Sequence, residues 1–192
     1  MEKKRCQWAG SSNPLMIKYH DEEWGRPVHD DHLLFEFLIL EGAQAGLSWS
    51  TILNKRENYR KAFDYFDPIL VAFYDEAKFT KLLENEGIIR NKLKIRSAVN
   101  NAKQFLLIQQ EFGSFDKYIW QFVEDKPIQN KIEAMTDIPA STDLSSIISK
   151  ALKKRKFSFI GTTIIYAFMQ SIGMVNDHMT SCFCYEEIKN LK

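Results

Sequence analysis

Apolar residues along the chain recur three and four apart far more persistently than they alternate, so the pattern predicts an almost wholly helical protein. Asp30 and Asp31 stand before Leu33, Leu34, Phe35, Phe37, Leu38, Ile39 and Leu40, an acid-capped entry into a buried helix. Ser48 caps the next, whose Ile52, Leu53, Tyr59, Ala62 and Phe63 follow at helical spacing. Asp67-Pro68 breaks the chain, and Asp75 opens a short helix carrying Phe79, Leu82 and Leu83. Residues 91–110 suit a long amphipathic helix through Ile95, Val99, Ala102, Phe105, Leu106 and Ile108, and residues 116–123 suit another, with Asp116 as its N-cap. Residues 126–140, with Pro127 and Pro139, read as a connecting loop. Thr142-Asp143 begins a helix that reaches a run of basic residues at 153–156, and Gly161-Thr162 opens the last one, ending near Gly173. No internal repeat and no sustained strand pattern is visible.

At 192 residues, with 45% hydrophobic and 13% aromatic side chains, the chain is long enough for one substantial core and too short for several domains. A single unit of one or two fused lobes over residues 1–192 is expected. Three widely separated cysteines, and a start at Met1-Glu2-Lys3-Lys4-Arg5 without an apolar run behind it, point to a reducing compartment, here the cytoplasm. The longest uncharged stretch, residues 157–176, contains Ser158, Thr162, Thr163, Gln170 and Ser171 and is too polar to span a membrane.

A net charge of +1 excludes a uniformly basic coat and an acidic tail, but it conceals an uneven distribution. Residues 87–110 carry Arg90, Lys92, Lys94, Arg96 and Lys103 without one acid, and residues 144–176 carry Lys150, Lys153, Lys154, Arg155 and Lys156 without one acid. Two segments of +5 therefore lie over a background of −9. Two phosphate-facing patches give this pattern, and so do two solvated helix faces. Between the helix ending near Asn85 and the one starting near Asn91, the five residues Glu86-Gly87-Ile88-Ile89-Arg90 form a helix-hairpin-helix connection. Amides at such a turn and at the following helix start can receive a phosphate, although an ordinary helical hairpin has the same spacing.

Two further groups carry candidate chemistry. Cys6 and His20 near the start, with His178-x3-Cys182 near the end, have the donor types of a tetrahedral zinc site filled entirely by protein, hence a structural one. Spacing does not decide it: Cys184 competes with Cys182, His29-x2-His32 is another pair, and a buried thiol with incidental histidines fits equally well. Glu41 ends an apolar run beside Gly42 and Gly46, with Tyr19, Trp24 and Trp49 nearby. A carboxylate there either caps backbone amides or faces a pocket that takes a cationic or hydrogen-bond-donating ligand, with flat rings to stack on it.

In combination these blocks resemble the 3-methyladenine DNA glycosylase I family of the helix-hairpin-helix superfamily. The resemblance runs through Cys6-x-Trp8, Tyr19-His20-Asp21-Glu22-Glu23-Trp24-Gly25, Leu40-Glu41-Gly42, Gly46-Leu47-Ser48-Trp49 and Lys55-Arg56-Glu57-Asn58-Tyr59. It continues through Gly87-Ile88-Ile89-Arg90, Lys150-Ala151-Leu152-Lys153-Lys154-Arg155, Phe159-Ile160-Gly161-Thr162-Thr163 and Val175-Asn176-Asp177-His178. It implies an all-α fold and a monofunctional enzyme, expected as a monomer, that flips N3-methylated adenine from double-stranded DNA and releases it as the free base. It further implies one structural zinc on Cys6, His20, His178 and Cys182, base recognition by Tyr19, Glu41 and Trp49, and Trp8 and Trp24 close by. Glu41 carries the electrostatic role, and Leu47 is the wedge that fills the vacated stack. Gly87, Ile88, Arg90, Lys92, Lys153 and Arg155 are the expected DNA contacts. The chain departs from the family pattern at Ala43, where a glutamine is common, Met16, where an aromatic is common, and Lys156, where glycine usually follows Lys-Lys-Arg. A zinc-stabilised DNA-binding module without catalysis, and a thiol enzyme using Cys182 and His178, are the competing expectations.

Overall fold

The computed structural model describes residues 3–10 and 13–191, so Met1 and Glu2 of the N-terminal reading lie outside the described residues. Most of the expected helices start where a side chain offers an oxygen to the first free amides. Asp30 caps α2 (Asp31–Gln44) by accepting from Leu33 N–H, and Ser48 caps α3 (Trp49–Ala62) by accepting from Thr51 N–H. Asp75 caps α5 (Glu76–Glu84), Asn91 caps α6 (Lys92–Phe112), and Thr142 caps α8 (Asp143–Lys154). α6 runs two residues beyond the expected end and stops at left-handed Gly113. α9 spans Thr162–Ser171. Leu34, Phe35, Leu38 and Leu40 make α2 the axis of the core, and α3, α6, α7 and α9 pack around it.

Four readings are corrected. Asp67-Pro68 starts a helix, α4 (Pro68–Ala72), because Asp67 accepts from the Ile69 and Leu70 amides and proline suits a first helical turn. The helix read from Asp116 is α7 (Phe115–Trp120), and its N-cap is Ser114; Asp116 lies inside the first turn and pairs with His29 Nδ1 at 2.7 Å. The loop over 126–140 contributes a two-residue strand, β1 (Ile128–Gln129), paired in parallel with β2 (Val175–Asn176). α9 is not the last helix, since α10 (Phe183–Lys189) follows it. An unanticipated helix, α1 (Pro14–Glu22), begins at Asn13 and carries Tyr19 and His20 inward.

The β1–β2 pair joins the 126–140 segment to the chain after α9, and the two ends of the chain meet through the Phe183 N–H donating to the Lys4 carbonyl at 2.9 Å and the Arg26–Glu187 ion pair at 2.8 Å. Gly173, at φ 73°, makes the turn from α9 into β2 beneath the 26–27 segment: a Cβ there would lie 2.5 Å from both the Arg26 carbonyl oxygen and the Pro27 nitrogen. Both obstacles are backbone, so Gly173→Ala is expected to cost about 3 kcal/mol or more of folding stability. Urea unfolding measures this, and a loss under about 1 kcal/mol would show that the turn has another route.

Candidate base cleft, metal centre and hairpin

The last turn of α2 and the first turn of α3 are joined by a short loop in which Gly46 is left-handed at φ 78°. That geometry brings Glu41 and Trp49 into the lining of one cleft of about 290 Å³. Tyr19 and Met16 reach it from α1, Trp8 and Trp24 from the segments on either side of α1, and Gln170 from α9. The rings are arranged edge on or tilted: Trp8–Trp24 at 4.9 Å, Tyr19–Trp49 at 5.1 Å and Trp8–Tyr19 at 6.3 Å between centroids.

Glu41 is 3% exposed, and its Oε2 is buried without a hydrogen-bond partner among the described residues; the Trp49 Nε1–H is the same. Burial pushes the Glu41 carboxyl up to about 8, with the Ser171 hydroxyl opposing the rise. Helix capping is thereby excluded as its purpose. An acceptor and a donor, both unsatisfied and both on an aromatic cleft, are the chemistry of a ligand site rather than of a core. Burial also raises the Tyr19 phenol well above its ordinary value, reinforced by Glu41 and Glu23 and opposed by Arg56. Arg56 is itself buried, donating to Glu36 and to Glu23 at 2.5 Å each. A second depression of about 360 Å³ shares Glu41, Gln44 and Ala167 with the cleft and opens on Leu47, which is 40% exposed at the tip of the loop.

Cys6, His20, His178 and Cys182 converge behind this cleft, all buried, with their donor atoms within 4.8 Å of one another. Cys182 Sγ lies 3.4 Å from His20 Nε2 and 3.6 Å from His178 Nδ1, and Cys6 Sγ lies 3.5 Å from His178 Nδ1. Each ring's other nitrogen is spoken for: His178 Nε2–H donates to the Trp24 carbonyl at 2.9 Å, and His20 Nδ1–H donates to Asp21 at 2.8 Å. Arg5 grips Asp21 in turn, through Nε and Nη2 at 2.8 and 2.7 Å. The thiols of Cys184 and Cys6, and the His178 and His20 rings, hold the Cys182 thiol below its ordinary value. Two soft sulfurs, two oriented imidazoles and a hydrogen-bonded outer shell fit a bound metal ion. Cys184 is buried beside them and forms an alternative trio with His20 and Asp21, whereas His29 is engaged with Asp116.

The helix-hairpin-helix forms as expected from α5, the turn at 85–91 and α6. Its amides at Gly87, Ile88 and Ile89 do not stand free: they donate to Asn85 Oδ1, the Asn85 carbonyl and the Tyr59 hydroxyl. Ile88 is buried, and Gly87 is required by proximity, since a Cβ there would sit 3.0 Å from Asn58 Cβ on α3. Arg90 and Lys92 project to solvent, Arg90 3.7 Å from Glu86. Lys94, one of the expected surface charges, instead turns inward and donates to the Ala43 and Ala45 carbonyls at 2.8 and 2.7 Å, tying the hairpin to the end of the helix that bears Glu41. In the second basic segment Lys153 is exposed, but Arg155 is committed to Glu111 at 2.7 and 2.8 Å and packs on the Phe112 and Tyr118 rings. Nothing in a sequence-local pattern distinguishes these two inward cations from their neighbours. The departures from the family pattern fall differently: Met16 lines the cleft, Ala43 is buried against Tyr59, Phe63 and Ile95, and Lys156 occupies a left-handed position at φ 66° where glycine is unstrained.

A model of the methyladenine glycosylase family matches residues 8–185. DNA-3-methyladenine glycosylase 1 of Escherichia coli (strain K12) is 48% identical over 182 residues, spanning 95% of this chain and 97% of its own. A crystal structure of a 3-methyladenine DNA glycosylase I superposes with a TM-score of 0.92 at 50% identity, covering 95% of this chain and all of that one. The Staphylococcus aureus enzyme, in a structure describing its recognition of 3-methyladenine, gives 0.90 at 35% identity over 93% of this chain and 95% of its own. The chain therefore belongs to the methyladenine glycosylase family, among the 3-methyladenine DNA glycosylases I.

Proposed function

We infer that the protein is a monofunctional DNA repair glycosylase that extrudes 3-methyladenine from alkylated duplex DNA and hydrolyses its N-glycosidic bond, leaving an abasic site. The observation that carries this is the buried, unpartnered Glu41 Oε2 in an aromatic cleft, present in a chain whose relatives bear that activity in their names. Methylation at N3 makes the base a cation, so the bond to the sugar breaks to release a neutral base, and much of the barrier is removed by the lesion itself. The protein must extrude the base, at an unstacking cost of a few kcal/mol that is smallest for damaged bases. It must then stabilise the base's charge.

In the free protein Glu41 keeps its proton up to about pH 8. A cationic base entering the cleft favours the carboxylate, which accepts hydrogen bonds from it, while Trp49 and Tyr19 pack on its faces. Leu47 fills the vacated stack. Exposed Arg90, Lys92 and Lys153 meet phosphates, whereas Gly87, Ile88 and Arg155 shape and brace the surface that does so. Asp116 is not an orienting carboxylate for water, because it is held by His29 on the far end of the α2 entry.

The metal is assigned as zinc. Bond lengths of about 2.3 Å to sulfur and about 2.0 Å to nitrogen put tetrahedral ligands roughly 3.3–3.8 Å apart, and the three sulfur–nitrogen separations of 3.4, 3.5 and 3.6 Å lie inside that window. All four positions are protein atoms, so zinc there supplies cohesion between the chain ends and not a reactive water. The thiol-enzyme alternative loses its nucleophile to this cluster. The protein works as one catalytic unit, in the cytoplasm and as a monomer.

Incubating the protein with methylated duplex DNA and resolving the released bases is expected to give free 3-methyladenine and, by comparison, almost no 7-methylguanine. Retention of all methylated bases on the DNA would leave the non-catalytic binding module as the better description.

A further inference from the structure

Gln170 is a polar group of the cleft that neither the family resemblance nor the charge argument uses. It lines the cleft with Glu41 and Trp49, and its backbone is fixed on α9 by the Gly25 N–H, which donates to its carbonyl at 3.0 Å. Its side-chain nitrogen donates to Asp177 Oδ2 at 2.7 Å. Asp177 is fully buried and also accepts from the Tyr166 hydroxyl and from Asn130 Nδ2, each at 2.6 Å. A carboxylate can only accept, so the amide of Gln170 has one tenable orientation: reversed, oxygen would face oxygen. The side-chain oxygen is therefore the end left for the cleft, and no hydrogen bond among the described residues engages it.

We propose that Gln170 is a specificity-determining residue whose side-chain oxygen, oriented by Asp177, accepts a hydrogen bond from the exocyclic 6-amino group of the bound purine and so selects 6-amino over 6-oxo bases. The inference rests on the glycosylase reading of the cleft. Among the polar atoms of the lining, Glu41 Oε2 and the Trp49 Nε1–H are buried without a partner among the described residues, and the Gln170 oxygen is a further acceptor. An amino group has two hydrogens, one of which can serve the Gln170 oxygen, whereas a 6-oxo group sets its own acceptor against that oxygen and leaves it without a donor. A site built to bond a substrate hydrogen rejects the analogue lacking it more strongly than an apolar pocket rejects a change of size. Asp177 acts one step behind as a positioning residue, held by Asn130 from the β1 loop and by Tyr166 from α9.

The test uses free 3-methyladenine and 3-methylhypoxanthine, which differ in the group at position 6 and in the one ring N–H that the 6-oxo base carries, titrated against the protein's tryptophan fluorescence. Wild type is expected to bind the 6-amino base about tenfold or more tightly, and Gln170→Met to lose about tenfold for that base while staying within about twofold for the 6-oxo base, with its melting temperature recorded alongside. A Gln170→Met protein that weakens toward both bases equally, or toward neither, overturns the assignment, because a merely structural glutamine would not move the ratio. Should that variant fail to fold, the wild-type comparison still decides: equal affinities overturn the inference, and a clear preference for the 6-amino base supports it. Wild-type protein that binds neither base overturns the glycosylase reading itself, and this inference with it.

Discussion

Glu41→Gln is expected to reduce single-turnover release of 3-methyladenine by tenfold or more at pH 8 and above. The substitution preserves shape and burial but removes the one carboxylate that lines the cleft among the described residues. A hydrogen bond to a charged partner contributes about 1.5–3 kcal/mol, which corresponds to roughly 10- to 100-fold in rate when the charge is expressed in the transition state. The pH dependence has a definite sign. Glu41 holds its proton to about pH 8 in the free protein against an ordinary 4.5, so kcat/KM, which reports the free enzyme, rises toward pH 8 and flattens above it. Glu41→Gln abolishes that rise. The same shift acts on stability in the opposite direction. Between the two values the native state retains a proton that the unfolded chain has lost, so wild-type stability falls as pH rises from about 4.5 to about 8. The variant has no such slope and should gain in melting temperature relative to wild type across that window. Equal release rates in the two proteins would remove Glu41 from the chemistry, and parallel melting profiles would contradict its raised pKa.

Cys6→Ser is expected to lower thermal stability sharply while changing the affinity of the folded protein for free 3-methyladenine much less. Cys6 and His20 lie some 160 to 170 residues from the partners they meet, His178 and Cys182, as the 162- and 172-residue separations of the contacts show. A metal that bridges them removes a great deal of freedom from the unfolded chain and satisfies four buried donors at once. Deleting one buried ligand costs several kcal/mol, of the order seen when one partner of a buried charged group is removed. Metal analysis of purified wild type should give one zinc per chain, and Cys6→Ser should fall well below that. Melting curves with and without chelator, alongside base titrations, measure the two effects separately. Affinity lost with stability unchanged would mean that the cluster acts on the base, which its contact through the Trp24 carbonyl makes a real alternative outcome.

What the sequence determined by itself was whatever depends on neighbours a few residues apart. Asp30, Ser48, Asp75, Asn91 and Thr142 cap helices through amides two or three positions on, and the apolar run from Leu34 to Leu40, which only Glu36 interrupts, is buried as its apolar character predicts. The ordered blocks of motif were equally legible, and with them the family and the activity. Tertiary structure decided everything that joins distant segments. α10 was hidden because its seven residues gain order only by packing beside β2, and the β1–β2 pair because two residues hold no period. Cys184 and Cys182 are indistinguishable by spacing; only the fold shows that Cys182 meets both histidines. Lys94 and Arg155 read as surface charge until α2's free carbonyls and Glu111 are placed beside them. The Gln170 oxygen is the sharpest case, since its direction is set by a carboxylate seven residues away that is itself fixed by Asn130 across the sheet. Local hydrogen bonding writes itself into sequence, but the orientation of a polar group in a cleft is set by partners that only the folded chain brings within reach.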